Sequence, residues 1–87
     1  MNSYCISYDL CSPHRDYSSL YDAIRDYGTY AKITESFWIV RSSGTSTTIR
    51  DNLSTHIDSN DKLFIAKLSG ESAWSNLNEG TTKWLKK

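Results

Sequence analysis

The chain has 87 residues, enough for one domain with a single modest core and too few for two. Hydrophobic residues make up 38% and charged residues 23%, the balance of an ordinary soluble globular chain rather than a disordered one. Ten basic and ten acidic residues cancel, so no global field draws the chain to nucleic acid, and any such role rests on a local patch.

From Asn2 to Leu10, apolar and polar residues alternate, with Tyr4, Ile6, Tyr8 and Leu10 set against Cys5, Ser7 and Asp9. That period of two predicts a strand. The turn Cys11-Ser12-Pro13-His14-Arg15 follows, in which Ser12 can cap a helix and Pro13 suits its first turn. Tyr17, Leu20, Ile24 and Tyr27 recur at the spacing of one helical face, and Gly28 is a natural stop. Residues 30–42 are rich in β-branched and aromatic side chains, as one long bent strand or two short ones joined near Glu35-Ser36.

Thr45 or Ser46 caps a second helix, with Ile49, Leu53 and Ile57 on one face and Arg50, Asp51 and Asn52 toward water. Asp58-Ser59-Asn60-Asp61 is a turn signal, and Lys62 to Leu68 reads as a further strand. Ser69-Gly70 breaks it, Ala73-Trp74 packs back, and residues 82–85 form a short strand or a helical turn. Cys5 and Cys11 stand six residues apart in extended chain, about 20 Å. That is too far for a disulfide without a reversal, so two buried or half-buried free thiols are expected. No apolar run approaches the roughly 20 residues that span a bilayer, and no signal segment opens the chain. An intracellular, cytoplasmic protein without a membrane partner is expected.

The element order predicts an α+β, ferredoxin-like split βαβ domain (βαββαβ) over residues 1–87, with residues 69–87 as a C-terminal extension. Both helices then lie on one face of an antiparallel sheet. The other face should be polar, yet Phe37-Trp38-Ile39-Val40 and Leu63-Phe64-Ile65-Ala66 are apolar on both sides. A second copy packed through sheet faces or edges would cover it, giving a homodimer. The alternative cover is the chain's own segment bearing Trp74 and Trp84.

Asp9 is the sharpest candidate for chemistry, since a carboxylate at a strand end beside a cationic loop is a common setting for metal-assisted phosphate reactions. Its plain alternative is to accept backbone N–H bonds in the turn before Pro13. His14 has the titration range of a general acid or base, or is simply solvated. Arg15 can hold a phosphate through two parallel hydrogen bonds, or pair with Asp16 or Asp26. His56, near a helix end, favours the C-terminal dipole. No zinc spacing and no glycine-rich phosphate loop is present. Lys83, Lys86 and Lys87 form a small basic tail, solvated or brushing a phosphate backbone. Trp38, Trp74 and Trp84 pack in a core or interface, or stack on bases.

The segments Ile6-Ser7-Tyr8-Asp9-Leu10, Tyr27-Gly28, Ser36-Phe37-Trp38 and Asp58-Ser59-Asn60-Asp61-Lys62-Leu63, taken in order, resemble a known family. It is the small CRISPR-associated ferredoxin-like nucleases (Cas-two type), with their stand-alone SinR-like and VapD-like relatives. The resemblance spans nearly the whole chain. It implies a homodimer in which two copies of Asp9 face each other and share Mg²⁺, cleaving RNA or DNA phosphodiesters. It also implies Tyr8 as the aromatic before the aspartate and Arg15 as the basic loop residue. Ser36 and Trp38 match the serine and aromatic positions of a family signature whose glutamate is Ile39 here. In antiviral spacer acquisition such dimers bridge integrase subunits without needing nuclease activity, which implies a scaffold or adaptor as the alternative. The VapD likeness implies a toxin-like ribonuclease.

Overall fold

Alternation at the N-terminus produces the central strand β1 (Asn2–Asp9), and a computed structural model describes the chain over residues 1–86. In chain order there follow α1 (Ser18–Arg25), β2 (Tyr30–Thr34), β3 (Phe37–Ser42), α2 (Ser46–Ser54), β4 (Lys62–Lys67) and α3 (Glu79–Leu85). The four strands form one antiparallel sheet ordered β2-β3-β1-β4, the arrangement of a ferredoxin-like βαββαβ fold. Residues 30–42 are two strands joined at Glu35-Ser36, with an irregular register between Lys32 and Thr34.

The even-numbered residues of β1 build the core. Tyr4 and Ile6 pair across the sheet with Val40 and Trp38, and Tyr8 with Leu63; all three pack under Leu20, Ala23 and Ile24 of α1 and Ile49 and Leu53 of α2. Burial of each fully enclosed aliphatic side chain stabilises the fold by about 1.5–3 kcal/mol. This face also holds an aromatic group. The Trp38 ring stacks on Tyr21 at 6.5 Å and 15°, Tyr30 lies 6.0 Å away, and the Arg25 guanidinium sits 5.6 Å from the ring centre.

α1 begins at Ser18, later than the Ser12-Pro13 start that the sequence suggests. The Ser12 hydroxyl donates to Asp58 at 2.8 Å, which ties residue 12 to the turn before β4, and the N-cap position is Tyr17, with no side-chain capping bond. Gly28 adopts φ +84, the left-handed conformation that closes a helix with least strain when no Cβ is present. Thr45 caps α2, exchanging bonds with Thr48 in a capping box.

Odd-numbered residues form the back face: Ser3, Cys5, Ser7 and Asp9 of β1, beside Phe37, Ile39 and Arg41 of β3 and Lys62, Phe64 and Ala66 of β4. Part of it is covered by the chain itself. Beyond β4, Trp74, Leu77 and Leu85 lie over Ile33, Phe37 and Ile39, and α3 packs against β2. The Arg41 guanidinium stacks 4.2 Å from the Trp84 ring centre and donates to the Trp84 carbonyl at 3.3 Å. A wholly open apolar face, the physical premise for a second copy, therefore shrinks to a strip. That strip holds Phe64, 63% exposed, with Ser7, Asp9 and Lys62. Both cysteines are free, but Cys11 is exposed rather than half-buried, because it lies in the loop beyond the sheet.

Candidate functional site

Asp9 ends β1 on the back face, exposed, in register with Lys62 of β4. Its carbonyl meets the Cys11 thiol at 3.8 Å, while its carboxylate makes no hydrogen bond or ion pair among the described residues. The role of binding turn N–H groups, the plain alternative for Asp9, belongs instead to Asp61. One Asp61 oxygen accepts the Cys11 N–H at 2.7 Å, and the other accepts the Asp58 N–H at 2.9 Å and the Tyr17 hydroxyl at 2.8 Å. Loss of solvation pushes the Asp61 carboxyl up. The Cys11 and Asp58 N–H groups, the Tyr17 hydroxyl and the Arg15 charge outweigh it and hold the carboxyl below the ordinary carboxylate value. Tyr17 moves the opposite way, its phenol raised by burial and by donating to Asp61, as a neutral donor should.

Arg15 forms an ion pair with Asp58, not with Asp16 or Asp26, and its guanidinium lies over the Tyr17 ring at 5.5 Å. Asp16 accepts the Ser18 N–H at 2.9 Å, which lowers its own pKa. The loop after β1 is thus stitched to the turn before β4 by Asp58 and Asp61. The sequence marks those residues only as a turn; their carboxylates, three apart and N-terminal to a strand, were the signal for the clamp. His14 is exposed in the same loop, with no side-chain partner among the described residues.

Tyr8 and Trp38 belong to the other side of the sheet. The Trp38 indole N–H donates to the Tyr8 hydroxyl at 2.9 Å, and that hydroxyl donates to the Glu35 carbonyl at 3.1 Å. Burial pushes the Tyr8 phenol up against the opposing Trp38 bond, with Tyr21 and Glu35 adding to the rise. Ser36 is exposed in the β2–β3 turn, and its carbonyl accepts the Tyr8 N–H at 3.2 Å. Tyr8, Ser36 and Trp38 therefore come together as an anchor for the β2–β3 hairpin. Asp9 and Arg15 flank the loop at the end of β1, Arg15 paired with Asp58 and the Asp9 carboxylate unpaired among the described residues.

Among the described residues, no three His, Cys, Asp or Glu side chains gather as a metal cage. One protomer offers one free carboxylate here, so a Mg²⁺ site fits only with a second Asp9 and phosphate oxygens completing the oxygen shell. No helix among the described residues is long and apolar enough to cross a membrane. A scan against protein-family models finds none that matches the chain.

Proposed function

We propose that the chain works as a homodimeric, metal-dependent nuclease on RNA or DNA phosphodiesters, with Asp9 as its metal-binding residue. One observation carries the reading. Of the three carboxylates around the end of β1, Asp58 and Asp61 are saturated with structural partners, whereas Asp9 stands exposed and unengaged on the uncovered strip. An unengaged strand-end carboxylate has both oxygens open to a cation. Two symmetry-related Asp9 side chains would hold Mg²⁺, which supplies an activated water and offsets charge developing at phosphorus. Arg15 joins such a site only by leaving Asp58.

That engagement of Arg15 favours a second reading, a non-cleaving dimeric scaffold for nucleic acid or for a protein partner of integrase type. Cleavage of labelled single- and double-stranded RNA and DNA, with and without Mg²⁺ or Mn²⁺, separates the two. The nuclease reading expects metal-dependent cleavage that falls on the order of a hundredfold in Asp9→Ala, the scale of losing an electrostatic catalytic group. Cleavage by the variant equal to the wild type sinks it. Metal-independent binding without cleavage selects the scaffold.

A further inference from the structure

The residue directly across the sheet from Asp9 is Lys62, the first residue of β4. In an antiparallel pair, opposed residues point to the same face with Cβ atoms about 4.5–5.5 Å apart. Both side chains are exposed, on the strip that the C-terminal segment leaves open, with Phe64 and Ser7 one step further along the same face. Lys62 forms no ion pair among the described residues, whereas Arg15 is held by Asp58 and Lys32 by Glu35. Among those residues it is thus the free cation nearest to Asp9 by strand register, and it sits on a rigid strand rather than on a loop.

We infer that Lys62 is the phosphate-binding cation of the Asp9 site, the part that the resemblance gives to Arg15. The inference rests on the nucleic-acid reading above. A lysine ammonium pairs with phosphate as a point charge and needs no bidentate geometry, which suits a strand-edge position open to solvent. The adjacent Asp9 carboxylate keeps Lys62 from being a general anion trap; a phosphodiester gains there once a cation neutralises Asp9.

The test measures binding of fluorescein-labelled single-stranded RNA and DNA 20-mers by anisotropy across a salt series in the presence of Ca²⁺. Lys62→Gln is compared with Lys62→Arg and with Lys67→Gln, an exposed lysine of the same strand whose side chain faces the opposite side of the sheet. Lys62→Gln should weaken binding roughly three- to tenfold and flatten the log–log salt slope by about 0.7 for each of the dimer's Lys62 side chains that meets the strand, the increment for one phosphate neutralised on a single strand. Lys62→Arg should restore both, and Lys67→Gln should change neither. Unchanged binding in Lys62→Gln, beside a wild type that binds, overturns the assignment of Lys62 alone. Equal losses in the two Gln variants overturn it as well, since they mean a diffuse charge effect. A wild type that binds neither strand at low salt overturns the nucleic-acid reading, and this inference with it.

Discussion

At the scale of single residues, the most constrained side chain near the candidate site is Asp61, which receives donors from Cys11, Tyr17 and Asp58. Because its carboxyl is held below the ordinary value in the folded state, the unfolded chain binds a proton at higher pH than the native one. The stability it contributes is therefore complete above the unfolded value of about 3.9 and is lost as pH falls through the lower folded value. Asp61→Asn keeps an acceptor for the Cys11 N–H but turns an amide donor toward the Asp58 N–H. The variant should melt several degrees lower than the wild type at pH 7. The gap between the two melting temperatures should narrow as the pH falls below the unfolded carboxylate value of about 3.9. Coincident melting at pH 7 would show that the loop after β1 holds its place without Asp61. Tyr17 sets the other limit: its phenol, raised on folding, keeps donating until alkaline pH exceeds the usual tyrosine range.

Among the elements, local chemistry was legible where a residue's partner lies within a few positions, and illegible where it lies far along the chain. Thr45 with Thr48 marks the start of α2 within one turn, and the structure places the capping box there. Ser12 and Pro13 carry equally good helix-start chemistry, yet α1 waits until Ser18, and the Ser12 side chain is tied instead to Asp58, 46 positions away. α3 was half legible. Asn78 caps it through the Thr81 N–H at 2.7 Å and Glu79 pairs with Lys83, but Gly80 hides the helical pattern in its first turn. Asp9 was readable as a strand end, whereas Lys62 opposite it depends on register, which a single strand does not specify. The local nature of the α2 cap makes it testable alone. Thr45→Ala removes the acceptor of the Thr48 N–H and should lower stability by about 1 kcal/mol in denaturant melts, with an unchanged m-value. A change near zero would mean that α2 is held entirely by Ile49 and Leu53.

For the whole molecule, the question is how two copies of Asp9 would meet. The apolar content of both sheet faces was visible in the sequence, but not which cover would win, since that turns on Arg41 meeting Trp84, 43 positions away. With the back face of β2 and β3 roofed by the chain's own C-terminal segment, the routes to a dimer that lie nearest Asp9 are the edge of β4 and the open strip. The edge is a poor choice. Antiparallel pairing of β4 with its own copy, centred between Phe64 and Ile65, sets Lys62 opposite Lys67, and like charges in that position repel. The strip is the better one, because Phe64 is 63% exposed there with Asp9 on the neighbouring strand. Face packing through Phe64 would bury an aromatic side chain and draw the two carboxylates toward the twofold axis, with Asp9 and Lys62, at the strand ends, on the rim of the contact and open to a phosphate. Phe64→Glu should then convert a dimer into a monomer in sedimentation velocity at tens of micromolar. Its melting temperature at high dilution should stay near that of the wild type, since Phe64 contributes little to the core of one protomer. Metal-dependent cleavage should disappear with the dimer although Asp9 is untouched. A wild type that sediments as a monomer, or a variant that remains dimeric, would move any association elsewhere and leave each Asp9 without its twin.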